Sequence, residues 1–442
     1  MPLSSEEDQP SCWHGTRYII LIVSLLALTF VFANSIALNV TVICMVKENQ
    51  NESSSTKTPL YDNLQKSWLF SAVAFGNLIG AIPLMAFAQR WDTRWVFTVY
   101  GMASGISMLL MPLGVSVHYG MVFVLRMMQG FGLSICFTSL GSIVNSWAPL
   151  KSSGLYISLL SLHMQLGPLI ILSVSGIICE SRFGWPALYY LFGGLTILSF
   201  ILFAILYKDD ASKHACVTPT EAARIQEGRA PRGTKRPSTP YKAVFTDIVI
   251  IGVFFSTFAA CLGLQFMMQY GPLYLNNVLG LDVKATAIAA AAPYLLGVVV
   301  KFIAGPISDS LTCLSERGRV ILFNTLAARQ HSGFIMAMMG VINSLVILML
   351  PLLVALVAPE GTNRQWAIIF FILSGIVIVL MFFFNFVCKT TPRSWTMAKE
   401  AENKVVTPPS PDAIQFEDGV AVLKPDLKSQ EDSVDNSQTK SI

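Results

Sequence analysis

Ten long apolar stretches, separated by short polar breaks, run through most of the 442-residue chain. They lie near residues 18–46, 67–89, 95–116, 119–147, 153–179, 186–207, 247–276, 283–308, 332–358 and 366–388. A helix needs roughly 20 mainly apolar residues to cross the ~30 Å hydrocarbon core of a bilayer, and each stretch is long enough. Because lipid offers the backbone no hydrogen-bond partners, each stretch is predicted to be an α-helix. The pattern therefore predicts an all-α, multi-pass membrane protein in contact with the lipid bilayer.

Composition agrees with this class and argues against several functions. The chain is 53% hydrophobic and 13% charged, whereas soluble domains contain about 25% charged residues. The eight Cys residues show no C-x-x-C or metal-ligand spacing, so the sequence predicts neither a disulfide scaffold nor a metal site. It also carries no motif of a serine hydrolase, a nucleotide-binding loop or a zinc protease. The sequence therefore predicts no enzyme, no cofactor and no nucleic-acid partner.

The charge of the loops predicts the orientation. With the N-terminus inside, 22 of the 30 Lys and Arg residues fall in inner segments and 6 in outer loops. Positive residues accumulate on the cytoplasmic side of membrane proteins, so both termini are predicted to be cytoplasmic. This orientation places Asn51 outside, as a glycosylation acceptor within Asn51-Glu52-Ser53.

The apolar stretches divide the chain into four parts. Residues 1–207 contain six predicted helices, residues 208–246 a polar and basic linker, residues 247–388 four helices, and residues 389–442 a polar tail. The linker composition predicts a flexible cytoplasmic segment. The tail, which is poor in aromatic residues, is predicted to be disordered.

The inner ends of the second and eighth helices carry related loop motifs. These motifs resemble the loop signature of the major facilitator superfamily: Arg90 and Arg94 after the second helix, and Gly305, Asp309, Arg317 and Arg319 after the eighth. The resemblance implies the major facilitator fold, with the substrate site between two helical halves. It also implies gating roles for these six residues.

Further motifs, in order along residues 15–395, resemble the anion:cation symporter family, which includes sialin, the vesicular glutamate carriers and the type I sodium–phosphate carriers. They include Trp147-Ala148-Pro149, Gly184-Trp185-Pro186 and Pro293-Tyr294-Leu295. The linker residues Asp209, His214 and Glu221 fit the family spacing as well. The resemblance implies a secondary transporter of small anions, either organic anions or inorganic phosphate, in the plasma membrane or in a vesicular or lysosomal membrane.

The same resemblance exposes a gap in the second half. Residues 319–325 resemble the start of the family's ninth helix, and residues 333–336 already resemble the start of its eleventh. The apolar run 320–328 is too short to span a bilayer. The sequence therefore predicts a six-helix first half and a truncated four-helix second half that lacks the ninth and tenth helices.

Charged groups inside membrane helices are costly, so they mark candidate functional sites. Arg126 lies about seven residues, roughly 10 Å, from the outer end of the fourth helix, and it matches the family's R-x-x-[EQ]-G motif. A guanidinium facing a wet cavity binds a carboxylate or phosphate through paired hydrogen bonds. Lys301 in the eighth helix is the second cation. Snorkelling to the membrane interface is the alternative for both, and a structural ion pair is another for Arg126.

Six neutral residues complete the candidate substrate site: Gln129, Gln265, Gln269, Tyr270, Asn34 and His163. Each of them could serve helix–helix hydrogen bonding instead.

Departures from the family pattern bear on which ion, if any, drives transport of the anion. Gln129 and Leu133 stand where sialin-like members have acids tied to proton coupling, and the family's first-helix Arg falls near Ser35 or Ala37. The sequence therefore favours sodium-driven or facilitated movement over proton coupling, and it leaves the anion and the oligomeric state open. The short second half motivates an alternative, a non-transporting membrane protein that acts through partners.

Overall fold

The computed structural model describes residues 15–48, 57–87, 92–149, 153–226, 246–310, 332–359, 361–387, 414–417 and 420–423. Within these ranges, ten helices are long and apolar enough to cross a membrane. This is the number that the apolar pattern predicts, and the all-α class is confirmed. The two short strand pairs lie outside these helices.

The helices of the first six spans are α1 (Thr16–Cys44), α2 (Asn63–Phe87), α3 (Thr93–Val117), α4 with α5 (Tyr119–Leu133 and Ile135–Trp147), α6 with α7 (Ser153–Ser161 and His163–Glu180) and α8 (Gly184–Leu206). After the short helix α9 (Pro219–Gln226), the last four spans are α10 (Ile248–Asn277), α11 (Val283–Ser310), α12 (Ser332–Val357) and α13 (Asn363–Val387). The predicted gap follows residues 319–325 and precedes residues 333–336, and residues 311–331 lie outside the described residues.

Glycines allow α2 and α4 to pack backbone against backbone. A Cβ atom on Gly76 would collide with the carbonyl of Met127, and one on Gly130 would collide with the carbonyl of Val73. Small residues at helix interfaces permit this close approach in membranes. Arg126 on α4 is thereby close enough to α2 for its Nε to donate to the carbonyl of Leu69 at 3.4 Å.

The first part of the linker is packed rather than free, which corrects the prediction of a flexible segment. The Asp209 carboxylate accepts hydrogen bonds from the amides of Thr93 and Arg94 at 3.0 and 3.3 Å, at the start of α3. The indole of Trp147 donates to the carbonyl of Lys208 at 2.9 Å. The first amides of a helix lack partners within that helix, so a carboxylate from the linker stabilises the end of α3.

A second contact ties α9 to the start of α1. The Arg17 guanidinium lies 3.8 Å from the carboxylate of Glu221, which is also an acceptor for the Arg17 amide at 3.3 Å. Residues 227–245 of the linker lie outside the described residues. The flexible part of the linker is therefore still a prediction for those residues only.

A disulfide joins Cys44 at the end of α1 to Cys179 near the end of α7, a bond that the scattered cysteines did not indicate. The two residues are 135 positions apart, so no spacing pattern indicated the bond. Disulfides persist in oxidising compartments, and these helix ends lie on the side predicted to face outward. Strands β1 (Val46–Glu48) and β2 (Lys57–Pro59) pair in the loop that follows α1.

Residues 1–389 form one compact unit and residues 390–442 a second. In the second unit, β3 (Ile414–Glu417) pairs with β4 (Val420–Leu423) as an antiparallel hairpin, within the tail whose composition predicts disorder. The division of the chain into two halves, linker and tail stays a prediction.

Candidate anion-binding site

Arg126 is buried at the centre of the helical bundle, with 1% of its surface exposed. Its guanidinium donates to the carbonyl of Ser35 at 2.9 Å and to Oε1 of Gln129 at 2.8 Å. Longer bonds reach the carbonyl of Leu69 and Oδ1 of Asn39, both at 3.4 Å. These contacts use four of the five N–H donors of an arginine and leave one on Nη2.

All of these partners are neutral. In the part of the chain that the structure describes, no carboxylate forms an ion pair with Arg126. A guanidinium keeps its charge in proteins, and a buried charge is expensive unless a counter-charge accompanies it. The Arg126 guanidinium therefore has no counter-charge among the described residues.

A small cavity lies beside Arg126, between the first six spans and the last four. Its polar lining residues are Ser35, Asn39, Arg126, Gln265 and Gln269. The free volume is about 20 Å³, which is room for one or two water molecules. Arg126 is the only charged residue among those that line it.

The two glutamines on α10 face α12. Nε2 of Gln265 donates to Oδ1 of Asn343 at 2.8 Å, and Nε2 of Gln269 donates to the carbonyl of Ile347 at 3.5 Å. Oε1 of Gln269 is buried and has no hydrogen-bond partner among the described residues. The predicted pair Gln265 and Gln269 therefore reaches the same cavity as Arg126, with Gln129 directly behind the guanidinium.

Sequence reasoning missed Asn39. Its Nδ2 donates to the carbonyl of Met268 on α10 at 3.0 Å, while its Oδ1 accepts from Arg126. The signal that could have found it is an amide inside an apolar helix, since buried amides in membranes seek partners on neighbouring helices.

Lys301 lies outside the cavity. Its Nζ donates to the carbonyl of Ser161 at 2.9 Å and to Oγ of Ser161 at 3.1 Å. In a continuous helix the amide of Gln165 would donate to the carbonyl of Ser161. Here it donates to the carbonyl of Leu162 instead, which leaves the Ser161 carbonyl available to Lys301. Lys301 therefore joins α11 to the α6–α7 break, and its substrate role stays a prediction without a place in the cavity.

Three other candidates also lie away from the cavity. The Asn34 amide donates to Ser104 and Thr196 at 3.1 and 3.0 Å. Nδ1 of His163 donates to the carbonyl of Leu160 at 2.7 Å, since a carbonyl can only accept. Tyr270 packs its ring against Phe70, Phe266 and Trp366. These contacts support helix packing for all three.

The loop-motif residues are only partly described. Nε of Arg94 donates to the carbonyl of Ala204 at 2.6 Å, which holds α3 against α8. Gly305 and Asp309 lie in the last turns of α11. Arg90, Arg317, Arg319 and the glycosylation candidate Asn51 lie outside the described residues. Their gating and glycosylation roles stay predictions.

Comparisons with known proteins find similar proteins among membrane transporters. A model of the family described as Major Facilitator Superfamily matches residues 20–327. The chain is 28% identical to the human protein named sodium-dependent phosphate transport protein 1 over 291 residues, which are 63% of this chain and 62% of that protein. It is 27% identical over 259 residues to the mouse protein named probable small intestine urate exporter, covering 58% and 52% of the two chains.

Among solved structures, the nucleoside transporter NupG resembles this chain in fold. The TM-score is 0.52 at 14% identity, and the match covers 86% of this chain and 100% of NupG. At this identity the likeness concerns the fold alone.

Proposed function

The chain belongs to the Major Facilitator Superfamily, and on that premise we propose that it is a secondary carrier that moves a small anion across a membrane by alternating access. One observation carries this function. Arg126 is a fully buried cation with neutral partners at the edge of a central cavity, so an anion would supply the missing counter-charge. The names of the two relatives, which refer to phosphate and urate, support a carrier rather than an enzyme.

Contacts across the two sets of spans support alternating access. Asn39 bonds to Met268 towards the Cys44 end of α1, and Lys301 bonds to Ser161 near the opposite end of the bundle. Carriers of this class open one side at a time around a central site. Opening towards either side would therefore break one of these contacts and keep the other.

Coupling by sodium or facilitated movement fits the site better than coupling by protons. Gln129 and Leu133, at the positions tied to proton coupling in sialin-like members, cannot exchange a proton with water near neutral pH. The human relative is named as sodium-dependent. Uptake that collapses when the sodium gradient is removed, but survives a proton ionophore, is the expected result.

Uptake into proteoliposomes tests the function directly. Radiolabelled phosphate, urate and a dicarboxylate are offered to the wild-type chain, to Arg126→Ala and to Arg182→Ala. Arg182 is an exposed residue of the loop between α7 and α8, so it is the matched control. Saturable uptake that Arg126→Ala abolishes and Arg182→Ala keeps is expected. Failure of the wild type to take up any of the three would favour the non-transporting alternative.

A further inference from the structure

The cavity beside Arg126 is lined by two side chains that each have one polar group left for a ligand, a hydrogen-bond donor on one and an acceptor on the other. One is the remaining N–H of the Arg126 guanidinium, which can only donate. The other is Oε1 of Gln269, which can only accept and has no partner among the described residues. Both side chains line the same cavity, one from α4 and one from α10.

The position of the Gln269 oxygen follows from its neighbour. The Nε2 end of the Gln269 side-chain amide lies 3.5 Å from the carbonyl oxygen of Ile347. Two oxygens at that position would repel each other, whereas the NH2 group can donate. The carbonyl therefore fixes which end of the amide is nitrogen, and it leaves Oε1 as the free acceptor.

A buried acceptor without a partner is uncommon and calls for an explanation. Gln269 is only 4% exposed, so bulk water does not solvate it. An anion that is purely an acceptor would satisfy Arg126 but would place its own lone pairs against Oε1. An anion with an O–H or N–H group would satisfy both residues at once.

We propose that this site selects anions that carry a hydrogen-bond donor of their own, and that Gln269 is the residue that accepts from that donor. The closed cavity has room only for one or two water molecules, so such an anion binds when the first six and the last four spans separate during transport. Hydrogen phosphate, hydroxy acids and purine anions with ring N–H groups belong to this class, whereas sulfate does not. This selectivity presupposes the anion carrier proposed above, since it concerns the same cavity. A site that hydrogen-bonds a donor on its ligand rejects analogues that lack it, because its own polar group is then left unpaired.

Inorganic phosphate and sulfate are the discriminating probes. At mildly alkaline pH both are mainly tetrahedral dianions, and they differ by the single hydrogen that phosphate retains. Affinity is measured by competition against uptake of labelled phosphate or urate and by the shift in Tm of the purified full chain. We expect phosphate to bind about tenfold more tightly than sulfate, in keeping with one hydrogen bond gained and one unpaired acceptor avoided.

Two variants assign the selectivity to Gln269. Gln269→Met keeps a similar volume and removes the acceptor, so the ratio of phosphate to sulfate affinity should fall towards one. Gln165→Met is the matched control, because the buried Oε1 of Gln165 also lacks a partner in the described part of the chain but does not line the cavity. The wild-type ratio should persist in that variant.

The outcomes separate the two proposals. Equal wild-type affinities for phosphate and sulfate would overturn the selectivity and leave the anion carrier standing, as expected if a water molecule occupied the Gln269 acceptor. A wild-type preference that survives Gln269→Met would overturn the assignment to Gln269. Absence of any anion binding and uptake in the wild type would overturn the proposal that the chain is an anion carrier.

Discussion

The side-chain amide of Asn39 bonds to Arg126 with its oxygen, at 3.4 Å, and to the backbone of Met268 with its nitrogen, at 3.0 Å. One amide thus connects the buried cation of α4 to α10 in the last four spans. An anion that binds the remaining N–H of Nη2 would share that nitrogen with the longer of these two bonds. Asn39 is therefore placed to link occupancy of the site to contact between the two sets of helices.

Asn39→Asp should weaken anion binding. The new carboxylate would lie beside Arg126 and act as an internal counter-charge, so the substrate would have to displace a charge-assisted bond worth about 1.5–3 kcal/mol. The KM for uptake should rise about tenfold or more. Asn39→Leu, which adds no charge, separates this effect from loss of the Met268 bond. An unchanged KM in the Asp variant would contradict the contact.

Arg126→Lys should lose most uptake although it keeps the positive charge. Lysine has three donors on a point charge and lacks the planar fork that binds Ser35 and Gln129 together with an anion. The initial rate of uptake in proteoliposomes, at matched protein density, gives the measurement. Arg182→Lys in the exposed loop is the control and should transport normally.

Lys301→Met should change access to the cavity rather than affinity for the anion. The substitution removes the bonds to Ser161 and so favours separation of α11 from α6. A cysteine placed at Val73, which lines the cavity, should then react faster with a reagent added from the cytoplasmic side. A loss of affinity as large as that of Arg126→Ala would instead place Lys301 in the substrate site.

Reduction of the Cys44–Cys179 disulfide should lower stability. A native disulfide contributes about 2–4 kcal/mol, and the bond joins residues 135 positions apart. Tm should fall in reductant and in Cys44→Ser, whereas Cys216→Ser, at a linker cysteine outside this disulfide, should behave as the wild type. In intact cells, a membrane-impermeant reductant should cleave the bond only if these helix ends face outward.

Acidification should loosen the packed linker through His214. Burial lowers the pKa of His214 below its ordinary value, and Nδ1 accepts from the amide of Cys216 only while it is unprotonated. Because the folded pKa is depressed, this contribution is complete above the unfolded pKa of about 6.5 and is lost as pH falls through the folded value. His214→Gln should flatten the acid side of the Tm–pH profile. A profile identical to the wild type would exclude His214 as its source.

Much of the candidate site follows from sequence, because a charged or amide group is conspicuous in an apolar helix. This criterion selects Arg126, Gln129, Gln265 and Gln269, and they do converge near one cavity. The same criterion also selects Lys301, Asn34 and His163, whose hydrogen bonds lie elsewhere. Polarity inside a membrane helix shows that a partner is needed but does not show where that partner is.

The ten spans and the all-α class were determined by sequence alone, because hydropathy and length are local properties and lipid permits few backbone structures. Only the tertiary structure decided that Cys44 meets Cys179, that Asn39 reaches Met268, and that Arg126 is surrounded by neutral partners. Each of these contacts joins residues far apart in the chain. Their geometry depends on how closely the helices pack and how each is rotated, and no local pattern of residues specifies either.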